Sequence, residues 1–187
     1  MTIYESCPVI ENDNFKLRLV SLEDCCDLLK VYSDEKAVSL FNSDNCGGDD
    51  FHYTTYERMK QAIEYWLFEY DRKGFVRFSI VDKKPSEAVG TIELFNRVAE
   101  DYFNNCGLLR LDLRSDYEKE NVIKDILSLI VFKAFDLFCC DKVAIKAIPE
   151  AKERIKAIEE LGFVRSEEKL IGTHDLINYD SYYVLIQ

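Results

Sequence analysis

The sequence has little histidine, no clustered positive charge, no long apolar run and no Cys-x-x-Cys spacing. Each lack closes off a class of function. Two histidines, His52 and His174, both in polar stretches, are too few for a His-rich metal site. Lys and Arg number 24 against 35 Asp and Glu, a net charge of −11, with no basic tail or patch. Nucleic acid is therefore excluded as a main partner, because phosphate binding needs clustered Lys and Arg. The longest apolar stretch, 126–138, is broken by Lys133 and Asp136 and is too short to cross a bilayer. Seven cysteines are an odd number, and Cys25-Cys26 and Cys139-Cys140 are adjacent pairs, a poor spacing for a disulfide framework or a zinc site. Reduced core thiols are the expectation. The opening Met-Thr-Ile-Tyr-Glu-Ser-Cys-Pro8 has neither a basic nor an apolar leader region. A soluble, cytoplasmic chain with no membrane partner is expected, and its acidic surface suits an amine or cationic ligand.

What is present is a globular composition. Of 187 residues 48% are hydrophobic and 13% aromatic, enough for one domain over residues 1–187 with a genuine core. Phe15 to Val20 alternates like a half-buried strand. Ser21 is a plausible N-cap, followed by Leu22, Cys25, Cys26 and Leu29 on one helical face. The stretch 42–50 is a polar loop beside Phe51, His52 and Tyr53. Thr54 and Glu57 fit a capping box, and Met59, Ile63, Trp66 and Tyr70 follow at helical spacing as a core stripe. Phe75 to Val81 and Ala88 to Phe95 read as paired strands around the turn Lys83-Lys-Pro-Ser86.

The centre of the chain is the most informative. Leu108 to Leu113 reads as a strand, 114–121 as a loop, Val122 to Phe135 as a helix with core positions reaching Leu137, and Lys142 to Ile148 as a strand. A last helix closes on Glu160-Leu-Gly-Phe163, and Lys169 to Ile171 and Tyr182 to Ile186 add two strands. Such a strand, loop and helix aim unpaired amides at one point, which suits a phosphate. The sum is a mixed α/β sheet with helices on its faces. This order, with Leu17-Arg-Leu-Val-Ser-Leu-Glu-Asp24 at the start and Gly90-Thr-Ile-Glu-Leu94 in the middle, resembles the GNAT N-acetyltransferases, and within them the ribosomal-protein type.

The resemblance implies a mostly antiparallel sheet whose central strands, Leu108 to Leu113 and Lys142 to Ala147, run parallel and splay apart to admit the pantetheine arm of acetyl-CoA. It implies cofactor contacts at Leu111, Leu113, Lys119, Glu120, Asn121, Val122, Ile123 and Lys124. It also implies transfer of an acetyl group to a primary amine, a small molecule or a peptide N-terminus, with a homodimer as one assembly. The departures from the family pattern are specific. The loop positions that carry a Gln or Arg and two small residues in the family align with Glu118, Asn121 and Ile123. The Asn and Ser opening the closing helix align with Ala151 and Arg154. Weaker or rearranged cofactor binding is the expectation, and a degenerate binding module without acyl transfer is the alternative.

For catalysis, Glu93 is the first candidate base and Asp112 the second. Both have plainer readings, Glu93 as an exposed strand residue and Asp112 as half of a surface pair with Arg110. Tyr182 and Tyr183 point to opposite faces of one strand, and Tyr183 is the candidate proton donor to the leaving thiolate.

Overall fold

Alternating residues of the strands decide which face of the sheet is oil and which is charge. The structure, a computed structural model, describes residues 3–187. Residues 1 and 2, the start of the segment read for a leader, lie outside the described residues. The chain runs β1 (Ile10–Glu11), β2 (Phe15–Leu19), α1 (Cys25–Tyr32), α2 (Glu35–Val38), α3 (Tyr56–Asp71), β3 (Val76–Asp82), β4 (Glu87–Arg97) and β5 (Cys106–Leu113). It continues through α4 (Glu120–Ser128), α5 (Val131–Phe138), β6 (Lys142–Lys146), α6 (Lys152–Glu160), β7 (Val164–Arg165), β8 (Leu170–Ile171), β9 (Asn178–Tyr179) and β10 (Tyr182–Ile186). The main sheet has the order β1-β2-β3-β4-β5-β6-β10-β7, and β8 and β9 form a separate hairpin. Among the described residues only β5 and β6 pair in parallel; the other ladders are antiparallel. Among the described residues no helix is long and apolar enough to cross a membrane.

One face is apolar. Val76, Phe78, Ile80, Ile92, Leu94, Leu109, Leu111 and Leu113 pack with Ile123, Ile126, Leu127, Ile130 and Ile158 of the covering helices. The other face carries two rows in register, Arg77, Glu93 and Arg110, and Ser79, Thr91 and Asp112. All six are buried, because α1 and α3 lie over them with a second core of Leu28, Val31, Tyr32, Met59, Ile63 and Trp66.

Several expectations from sequence are corrected. The helix expected from Val122 to Phe135 starts at Glu120, breaks after Ser128 and restarts at Val131, with Ile130 at φ −123° outside helical geometry. A straight helix buries one stripe, whereas the run 126–131 is apolar nearly all round. The break re-aims the second half so that Val131, Ala134, Phe135 and Phe138 reach the core. In α1 the inward face is Cys25, Leu28, Val31 and Tyr32, while Leu22 and Cys26 are exposed. The cap of α3 is Thr55, accepting from the Arg58 amide, one residue later than expected. All seven cysteines are free thiols.

Candidate functional site

The buried polar rows converge on one carboxylate. Glu93 accepts from Arg77 Nη2 on one side and from Arg110 Nη1, at 2.5 Å, on the other. Arg77 Nη1 also reaches Asp112 Oδ2 at 2.9 Å, Thr91 Oγ1 at 3.0 Å and the Tyr32 hydroxyl at 3.0 Å. Tyr32 donates to Asp112 Oδ2 at 2.7 Å, and Arg110 Nη2 donates to the Asp44 carbonyl at 2.8 Å. Cross-strand neighbours in an antiparallel sheet sit close enough for such pairs to form directly. Arg110 and Asp112 are thus not a surface pair, and Glu93 is not exposed: with α1 and α3 above them all three are buried, Arg110 bonds Glu93, and Asp112 bonds Arg77 and Tyr32.

These surroundings separate the two carboxyls. Burial pushes Glu93 toward its neutral form, but the Arg110 and Arg77 charges override it and hold the group below its ordinary range. Burial dominates at Asp112 and raises it against the pull of Arg77 and Tyr32. Neither oxygen of Glu93 is free of an arginine, and Asp112 does not line the adjoining cavity.

That cavity, about 560 Å³, lies against the polar face. Trp66, Phe51, Tyr53, Tyr65, Phe75 and Phe95 form its apolar walls, and Arg77, Glu93 and Arg110 also line it. Asp49 holds Arg58 and the Tyr53 hydroxyl, at 2.8 and 2.9 Å. Glu69 is paired with Arg72 at a loose 3.5 Å and lies against Gly74, where a Cβ would meet its Oε2 at 2.2 Å. Along the mouth, the 42–50 loop is tied to the turn after β8. Asn45 Nδ2 donates to Thr173 Oγ1, and Asn45 Oδ1 accepts from the His174 amide.

The other half of the site is the edge of β5. Its parallel ladder with β6 ends at Leu109 and Ile145, while β5 continues to Leu113. Arg154 of α6 enters this opening. Its Nη1 donates to the Leu111 carbonyl at 3.0 Å and to the Leu40 carbonyl at 3.1 Å. Its Nε and Nη2 grip both oxygens of Glu118 at 2.7 and 2.9 Å. At the start of α4, the Glu120 amide donates to Glu153 Oε2 at 3.0 Å.

The remaining expected cofactor residues fall around that helix start. Lys119 is its N-cap, Ile123 is fully buried in the core, and Lys124 pairs with Glu160. Asn121 and Val122 border a smaller cavity of about 290 Å³ with Asp13, Asp82 and Asp125. The side chains of Leu111 and Leu113 join the apolar core, leaving only their backbone at the edge. Tyr183 packs in that same core, its hydroxyl raised by burial and by Glu159. Tyr182 points to the opposite face and donates to Asp44 Oδ2 at 3.0 Å.

Sequence reasoning missed Arg154 as a partner of Glu118, and missed the cavity roles of Arg77, Glu69 and Trp66. The one available signal was that two of the departures from the family pattern, Glu118 and Arg154, carry opposite charges.

No protein-family profile matches the sequence, and a search of curated proteins finds no match. Solved structures do match. The chain is similar to ribosomal-protein-S5-alanine acetyltransferase from Vibrio fischeri, with TM-score 0.70 and 17% identity over 96% of each chain. It is similar to a GNAT-family acetyltransferase from Bacillus anthracis, with TM-score 0.70 and 14% identity over 96% of this chain and 98% of that one. The Microcin C7 self-immunity acetyltransferase, solved with acetyl-CoA and AMP, aligns with TM-score 0.68 and 15% identity over 94% of each chain. The chain therefore has the GNAT acetyltransferase fold, with its mostly antiparallel sheet and single parallel pair.

Proposed function

We propose that the protein transfers an acetyl group from acetyl-CoA to a primary amine held in the 560 Å³ cavity. The observation that carries this reading is the end of the β5–β6 ladder at Leu109 and Ile145. It leaves the backbone at Leu111 to Leu113 as an edge beside the row Glu93 to Arg110. Acetyl-CoA would supply an activated thioester at that edge. The Leu111 backbone would hold the pantetheine arm, and the first-turn amides of α4 would face the diphosphate. Arg154 has to release the Leu111 carbonyl, and Glu153 the Glu120 amide, for this to happen.

In the reaction the amine nitrogen forms a bond to the acetyl carbon, the carbon–sulfur bond breaks, and the amine proton passes to a carboxylate. Glu69 is freer to take that proton than Glu93, since its one arginine partner stands 3.5 Å away while Glu93 has both oxygens bonded. Tyr183, buried in the core, is poorly placed to protonate the thiolate, which leaves solvent water as the donor.

A second reading has its own observation. Arg154 and Glu118 fill the opening with protein groups, as a chain without acyl transfer would. Calorimetric titration with acetyl-CoA, paired with release of free CoA thiol over a panel of amines, separates the two. Micromolar binding and amine-dependent thiol release support the transferase. No heat at millimolar acetyl-CoA overturns it and leaves the non-catalytic module.

A further inference from the structure

We infer that the cavity selects a lone primary amine on an apolar, ring-sized body, with its ammonium against Glu69, and turns away ligands that carry a second charge of either sign. The inference rests on the transferase reading for the word acceptor; the ligand class follows from the walls.

The walls carry no spare charge. Four guanidiniums line the space, Arg58, Arg72, Arg77 and Arg110, and four carboxylates answer them: Asp49, Glu69 and Glu93 on the wall and Asp112 behind it. Three of the arginines are closely engaged. Arg58 meets Asp49 at 2.8 Å, Arg77 meets Glu93 and, at 2.9 Å, Asp112, and Arg110 meets Glu93 at 2.5 Å. A ligand carboxylate would have to break one of these pairs or stay unpaired away from water, and either is costly. The fourth pair differs. The Glu69 side chain is 9% exposed, whereas Arg72, at a loose 3.5 Å, is 60% exposed. An ion pair with so exposed a member costs little to break. Arg72 can turn to solvent, and Glu69 then stands as a buried carboxylate on the wall that needs a cation. One ammonium answers it. A second would find Asp49 and Glu93 already bonded.

Aromatic faces are the other place where an ammonium could sit, but protein groups already hold them. Tyr53 stacks on Tyr32 with ring centres 5.4 Å apart, and Arg58 Cζ stands 4.2 Å from the Tyr53 centre. Arg77 Cζ stands 4.1 Å from the Trp66 ring centre. The ring surface that stays open is elsewhere on the wall: Tyr65 is 54% exposed, and Phe75 and Phe95 are half-buried. Tyr65 and Glu69 lie one turn apart on α3, so open ring surface and carboxylate stand side by side. That juxtaposition fits a ring carrying one amine on a short chain.

Calorimetric titration without any acyl-CoA tests this, with phenethylamine, butylamine, L-phenylalanine and spermine as probes. Butylamine removes the ring, phenylalanine adds a carboxylate and spermine adds further ammoniums. Saturable binding is expected with phenethylamine, and binding of the other three weaker by at least about tenfold. Glu69→Gln, close in shape, should weaken phenethylamine by about tenfold or more and leave the circular dichroism unchanged. If that variant does not fold, the wild-type series decides by itself. Butylamine, phenylalanine or spermine binding as tightly as phenethylamine overturns the inference. So does the absence of saturable heat at millimolar phenethylamine, or a folded Glu69→Gln that keeps wild-type affinity. Because no cofactor is present, the selectivity survives even if acetyl transfer fails. Conversely, an active enzyme that prefers polyamines or amino acids sinks the inference alone.

Discussion

Arg154 and Glu118 form a two-pronged ion pair with contacts of 2.7 and 2.9 Å, and the same guanidinium also caps the Leu111 carbonyl at 3.0 Å. The side chains are 1% and 8% exposed, so the pair is removed from water and screened little by salt. It bridges α6, the segment before α4, and the free edge of β5.

If this pair competes with the cofactor, removing it frees the edge. Arg154→Ser combined with Glu118→Gln should raise acetyl-CoA affinity by about tenfold or more over wild type, read by calorimetry. Unchanged affinity would show that Arg154 does not stand in the way.

The single change Arg154→Ala should cost about 3 kcal/mol of stability, because it strands a buried carboxylate at Glu118. Replacing both members by leucine should cost much less, since paired removal leaves no unpaired charge. Urea unfolding midpoints decide this, and equal losses in the single and double variants would contradict it.

At the sheet centre, Glu93→Gln keeps the shape but leaves Arg77 and Arg110 facing one another without their shared anion. A loss of about 3 kcal/mol is expected in the same measurement. A loss below about 0.5 kcal/mol, the range of ordinary surface changes, would mean that the row contributes little.

Acid should unfold the protein partly through Asp24. Burial opposes its ionisation, but bonds from Arg18, Ser79 and the Ser21 amide hold its carboxyl below the ordinary value. With the folded value depressed, the unfolded chain binds the extra proton first. The stabilisation is therefore present above about pH 4, the usual aspartate value, and is lost as pH falls through the folded value. Asp24→Asn should lower stability at neutral pH and flatten the acid limb of the stability curve. An acid limb as steep as wild type would count against it.

Cys139 ends α5 in a left-handed conformation at φ 50°, a position that favours glycine. Cys139→Gly should raise stability by about 0.5–1 kcal/mol in thermal or urea unfolding. A decrease would show that the exposed thiol has a role beyond its backbone.

The order of elements was legible because each strand and helix carries its own period. Alternation in Leu108 to Leu113 places Arg110 and Asp112 on one face whatever covers it. What a single strand does not reveal is the cover. Glu93, Arg110 and Asp112 read as solvent-facing until α1 and α3, distant in sequence, close over them. The cofactor edge failed for a similar reason. Glu118 and Arg154 are each a mismatch when taken alone, and their pairing exists only once α6 packs beside α4. The break at Ile130 escaped because an apolar run with no Gly or Pro carries no stop signal.

Asn45 fastens the 42–50 loop to Thr173 and His174, so two stretches of chain far apart in sequence make one rim around the cavity. Neither stretch belongs to the main sheet. Changes in what the cavity admits can therefore accumulate in these two loops as a coupled set, each constraining the other, while the strands beneath stay as they are.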